Sequence, residues 1–266
     1  MTQKMASNHE FDQVPPEWFS LVEAAAPEVM SRIARAVDAN AMAVQVRHSP
    51  MLAHWFMCDS LFLANQANRQ GMHANALSLI RQSFEALNIV ELGICNRPKA
   101  EGVLLEWEVD LVKPGEIRKW LEGNVWSDYG KGLWDEPWSQ FMRQFAAAIQ
   151  PYAHYGCHLA QWQVRLMDVA VTPNSPDVGI RALIQIAPRL YDPQKARRIT
   201  LFHALFTYVQ GRIWIGANPK DMHFEYLINE IGEALSRSEY LDGHMTNWSQ
   251  QFWSMLWDQD GGTVIE

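Results

Sequence analysis

Three sets of side chains in this chain have residue types and spacings that chemistry uses. In the segment LSLIRQSFEALNIVELGI, Arg81 and Glu85 stand four residues apart, and Ser78, Arg81, Glu85 and Asn88 fall on one helical face at steps of three, four and three. By spacing alone this is a solvated polar stripe with an internal ion pair, on a helix whose other faces are buried. Next, His154 and His158 form an H-x3-H, which on a helix turns two imidazoles to one side, where a transition metal binds once a third ligand arrives; His54, about a hundred residues upstream, is the candidate third. The competing reading makes one of these histidines a hydrogen-bonded core residue and the other a surface residue, with Cys157 a small buried hydrophobe. Finally, Arg198 and His203 in RITLFH pair a cation with a titratable ring, the two groups that proton transfer beside a phosphate requires.

The setting of that last pair is unusual. Between residues 178 and 212, Arg181, Arg189, Lys195, Arg197, Arg198 and Arg212 face Asp192 alone. Cations near a helix N-terminus are unfavourable unless an anion, either ligand or protein acid, answers them. The plainer alternative leaves Arg197 and Arg198 as solvated first-turn residues and His203 as a core residue of an amphipathic helix. The whole chain, by contrast, is acidic: 22 Lys and Arg against 30 Asp and Glu give −8. That argues against nucleic-acid binding through a general positive field, so any such contact must be local. The sequence contains no GxxxxGK[ST], GxGxxG, HExxH, GxSxG or ExxH, which disfavours NTPase, dinucleotide, zincin, serine-hydrolase and ferritin-like di-iron chemistry.

The elements that must position these residues read as helices. A length of 266 residues with 48% hydrophobic content suffices for one large core, and a single domain is expected, with residues 1–14 and 260–266 as loose tails. Phe19, Val22, Ala25, Val29, Ile33, Val37 and Ala41 form the stripe of a helix over 17–46, with Pro27 as a dividing point. Further helices are expected from Pro50 to about Gly71, from His73 to about Cys95, in two pieces over 98–123 broken at Lys113-Pro114-Gly115, over 138–149, and over 152–166 after Pro151. Residues 124–137 form an ordered aromatic loop. For 167–193 two readings stand: a Pro-rich loop followed by a short helix, which is favoured, or a small hairpin turning at PNSP. Helices over 193–215, 220–237 and 244–258 complete an all-α, multi-helix bundle of roughly eight to ten helices. Six of the 12 Trp lie between Trp107 and Trp162. They are core and subunit-interface material, or else a stacking platform for a planar ligand. Three Cys without a CxxC, no apolar leader and no long apolar run make a soluble cytoplasmic protein the expectation, with no membrane contact.

The stretch ANALSLIRQSFEALNIVELGICNRPKAEGVLLEW, followed later by PYAHYGCHL, resembles a family of uncharacterised bacterial helical proteins marked by an Arg-x-x-x-Glu on a central helix and a later His. That family is distantly similar to the HEPN superfamily of helical bundles, and the likeness spans roughly residues 60 to 160. The resemblance implies a HEPN-like core in which Arg81, Glu85 and His158 converge. Gly156 stands where the family favours a Ser. Arg198 and His203 also fit the Arg–His pattern of HEPN ribonucleases, in which the His assists proton transfer at a 2′-hydroxyl and the Arg stabilises charge on the phosphate. The function this resemblance implies is action on, or binding of, RNA or a nucleotide, in bacterial defence or a toxin–antitoxin system, by a homo-oligomer without a cofactor. Two alternatives are a non-catalytic module binding a partner protein or planar ligand through a Trp-rich surface, and a DinB-like bundle holding a divalent transition metal on His54, His154 and His158.

Overall fold

In a computed structural model, which describes residues 15–171, 180–186 and 189–238, the chain is an all-α, multi-helix bundle with one small hairpin. The described residues hold nine α-helices: α1 (Glu17–Asp38), α2 (Ser49–Arg69), α3 (His73–Ile94), α4 (Ala100–Glu108), α5 (Pro114–Asn124), α6 (Trp138–Ile149), α7 (Cys157–Gln161), α8 (Pro193–Ala217) and α9 (Met222–Ser236). One hydrophobic core runs from Trp18 to Leu235. None of the described helices is long and apolar enough to cross a membrane. The expected tails and the expected 244–258 helix lie outside the described residues.

Pro27 does not divide α1. It is on the exposed side of the helix, where its ring meets no packed neighbour. The helix stops short of Val46 because Asn40 turns the chain: its Nδ2–H2 reaches the carbonyl oxygens of Val37 and Arg47. The longest mutual packing is between α2 and α3, a helical hairpin closed at Gly71, whose φ of +72° suits glycine and whose missing Cβ leaves room for the Tyr191 backbone. At the other end of this pair Gly93 lies against the Pro50 ring. The turn is tied to the start of α8: His73 Nδ1 pairs with Asn68 Oδ1 at 2.9 Å, the Asp192 N–H donates to His73 Nε2 at 3.0 Å, and Asn68 Nδ2 donates to the Ala196 carbonyl. Burial holds the His73 imidazole down at about 4, so the ring is neutral at ordinary pH.

Two further sequence expectations need correction. Residues 152–166 do not continue as one helix: a 3-10 turn over Gln150–Tyr152 gives way to bends, α7 is short, and a strand begins at Val164. Nor do the described residues after it hold the favoured short helix. The antiparallel strands β1 (Val164–Val171) and β2 (Ile180–Ile186) pair with a bulge between Leu166 and Asp168, so the hairpin is the form adopted, while PNSP itself lies outside the described residues. The β-branched and alternating residues of VRLMDVAV and IRALIQI favour strands, and Pro151 and Gly156 deny the preceding segment a long helix.

α8 is central. From Ile199 to Gly211 every residue is buried, because α1, α2, α3 and α9 all pack on it. Asp192 caps its N-terminus by accepting from the Gln194 and Lys195 N–H groups.

Candidate functional site

The shorter helices α4, α5 and α6 cover α3 incompletely, and two openings lie along it. One is an open cleft of about 400 Å³ among α2, α3, α4 and α5. Its walls are apolar: Leu52 and Phe56 of α2, Ile89 of α3, Trp107 of α4, and Pro114 and Ile117 of α5. Polar groups enter it at a few points only. Ser49 Oγ–H donates to Glu108 Oε1, and Gln82 and Glu85 face in from α3. Around the mouth, Leu52, Trp55 and Phe56 are 59%, 58% and 47% exposed on one flank of α2.

The second opening is a pit of about 140 Å³ between α5 and α6, lined by Arg118, Arg143, Ala146, Ala147 and Gln150. Arg81 stands between the two. Its Nη2 donates to Glu85 Oε1 at 2.8 Å, on the cleft side, and to Gln150 Oε1 at 2.9 Å, on the pit side. The rest of this guanidinium, Nε and Nη1, is buried with no hydrogen-bond partner. Burial, and then repulsion from Arg81, lower the proton affinity of Arg118, against the pull of Glu122 and Glu85. Arg143 Nη1 approaches Glu122 Oε1 at 3.3 Å.

The Ser78–Asn88 stripe is therefore no solvated face: Arg81 and Asn88 are buried, and Ser78 and Glu85 are half-buried. Arg81 and Glu85 do pair, as their spacing implies. His158, which the resemblance placed with them, is an exposed residue of α7, and His154 is exposed in the bend before it rather than on the same helix. His54 is buried in α2, its Nε2 3.7 Å from Cys58 Sγ and its Nδ1 without a partner; burial lowers its proton affinity. Among the described residues no group of three His, Cys, Asp or Glu side chains is placed to hold a metal ion, so His54, His154 and His158 do not meet in such a group. Cys157 is exposed, not buried.

Arg198 and His203 are both buried. The His203 ring sits between two main-chain oxygens, Nδ1 at 2.8 Å from the Ile199 carbonyl and Nε2 at 3.0 Å from that of Leu61. A neutral imidazole has one N–H, so it can donate to only one of the two; burial nonetheless disfavours the cation, and the net effect lowers its proton affinity. The basic stretch around the pair is not one surface either. Lys195 is buried with its Nζ on the carbonyl oxygens of Gln161 and Val164, while Arg212 bonds the Tyr208 hydroxyl and the Tyr129 carbonyl beneath the Trp138 ring.

The Trp-rich segment is mainly core. Trp126, Trp138 and Trp162 are buried, Trp120 and Trp134 half-buried, and Trp107 is the member that lines the cleft. Phe56, Glu108, Arg118, Arg143 and Gln150 were not singled out by sequence. One signal was available for Phe56: α2 has apolar residues on more faces than a core requires, Leu52, Phe56 and Leu63 alongside Ala53, Met57, Leu61 and Ala64. Compared with known protein families, curated proteins and solved structures, the chain matches none of them.

Proposed function

We propose that this protein is a helical binding module that takes a planar, largely apolar group into the α2–α5 cleft, with Glu85 and Glu108 accepting hydrogen bonds from its polar edge. One observation carries this reading: an open cleft of ligand size whose walls include Phe56 and Trp107 and whose few polar groups are mostly acceptors. A flat ring between such walls gains apolar contact, and N–H groups on its rim find carboxylates. Heteroaromatic amines, purine bases among them, have that chemistry, which keeps the nucleotide reading in view. Ribonuclease action through Arg198 and His203 has less support, since His203 would have to leave two carbonyls and reach solvent from inside α8.

The test is fluorescence titration with 2-aminopurine riboside, whose emission is quenched by stacking on aromatic rings. Saturable quenching is expected with the native protein and should weaken by about tenfold in Phe56→Ala and in Trp107→Ala, each of which removes a stacking surface. Quenching that survives in both variants, or is absent with the native protein, rejects the reading.

A further inference from the structure

The pit beside the cleft has the opposite electrostatics. We propose that the α5–α6 seam is a binding site for a single phosphate group, held by Arg118 and Arg143 with Gln150 and backed by Arg81. The charge count favours an anion. Arg81, Arg118 and Arg143 come together here against Glu85 and Glu122, a local positive surplus in a chain of net −8. Two of the Arg81 nitrogens are buried with nothing to bond, and Nη2, shared between Glu85 and Gln150, makes all the bonds that this guanidinium has. Buried guanidinium N–H groups are costly to leave unpaired. Gln150 Oε1 is the group through which Arg81 meets the pit, so an anion drawn to Arg118 and Arg143 also gains the field of Arg81 behind that amide.

The shape limits the ligand. Ala146 and Ala147 leave the floor open, and about 140 Å³ suits one tetrahedral oxyanion. Glu122, beside Arg143, and Glu85, on the cleft side of Arg81, repel further phosphates, which disfavours a polynucleotide backbone. Forked guanidinium donors match the oxygens of a phosphate better than lysines do. The seam stands as an anion site whatever fills the cleft. Its link to the cleft, through Glu85 on one side of Arg81 and Gln150 on the other, extends the proposal to a small planar molecule bearing one phosphate monoester. That extension alone rests on the function proposed above.

The experiment has two arms, both on the full chain. In the first, inorganic phosphate is titrated and followed by 31P line width at constant ionic strength in chloride. Saturable broadening is expected, with affinity about tenfold weaker in Arg118→Gln and in Arg143→Gln and unchanged in Arg237→Gln, an exposed arginine at the end of α9. Absence of saturable broadening, or equal broadening in the native protein and both seam variants, overturns the site. So does displacement of phosphate by oligouridylate at far lower concentrations than by a phosphate monoester, which would make the seam part of an RNA track. In the second arm, 2-aminopurine riboside 5′-monophosphate is compared with the riboside. About tenfold tighter binding is expected, the advantage being lost in the Arg118→Gln/Arg143→Gln double variant. If inorganic phosphate binds as expected while Phe56→Ala and Trp107→Ala leave riboside binding intact, the cleft reading fails and the phosphate site stands. If the riboside binds as expected and phosphate confers no advantage, the extension fails.

Discussion

Glu91 gives the sharpest test of how this core is built. It lies on α3 with no exposed surface, accepts the Trp126 indole N–H on Oε1 at 3.0 Å, and has the Tyr129 phenol beside it. Among the described residues no cation pairs with it. Burial therefore pushes its carboxyl from 4.5 up to about 8, against the smaller opposing pull of the Tyr129 and Trp126 donors. The folded state holds this proton where the unfolded chain has released it, so the contribution to stability is complete below 4.5 and is lost as pH rises through 8. Each pH unit in between costs up to about 1.4 kcal/mol. Below pH 6.5 the signal is opposed by His73, whose neutral folded form, with a pKa of about 4, loses stability on acidification from 6.5 downwards; His54 and His203 shift in the same sense. The thiols of Cys58 and Cys95, pushed up to about 11, do not titrate until the pH approaches 9. From 6.5 to 8 the histidines still add an opposing rise as their unfolded forms lose the last of their protons, so Glu91 is read as the difference between the native protein and Glu91→Gln. Across this window the native protein should lose about 1.5 kcal/mol relative to Glu91→Gln, the difference flattening as the folded carboxyl begins to ionise. Urea unfolding at half-unit pH steps measures this, and Glu91→Gln, which keeps the indole's acceptor and cannot ionise, should remove the loss and leave only the rise that the histidines cause. Equal slopes in the two proteins would refute the account.

Two further outcomes are set by packing. Gly93→Ala places a Cβ 2.3 Å from the Pro50 Cβ at the start of α2; it should cost about 1 to 3 kcal/mol in urea unfolding, since the proline ring cannot rotate away. His203→Ala leaves the Leu61 carbonyl without its imidazole and opens a void in α8, so a loss of about 2 kcal/mol or more is expected in the same assay, whereas an unchanged midpoint would mean that the ring is solvated after all.

Most helices were legible because their cause is local. The apolar spacing of α1, the Pro50 start of α2 and the Lys113-Pro114-Gly115 break between α4 and α5 each act within a few residues. The hairpin was only half legible. VRLMDVAV reads equally as the end of an apolar helix until its pairing with IRALIQI decides the matter, and pairing is a long-range fact. The cleft was not legible at all. Ser49, Phe56, Glu85, Trp107 and Ile117 come from four helices, and within each one the apolar members look like ordinary core positions. Arg118 and Arg143 look like solvated charges until α5 and α6 bring them together.

The motif residues on α3 and α8 met different fates for one reason. Both helices are central, and a polar residue on a central helix is useful to a ligand only where the surrounding layer is thin. Around α8 the layer is complete: α1, α2, α3 and α9 close over it, so Arg198 is buried and His203 is spent on carbonyls that join α2 to α8. Around α3 the layer is made partly of the short helices α4, α5 and α6, which cross it without sealing it. Arg81 and Glu85 lie where that cover is interrupted, one partner turned to the apolar cleft and the other to the basic pit. The same i,i+4 spacing that reads as a surface ion pair thus becomes, under a broken roof, the divider between two openings of opposite chemistry.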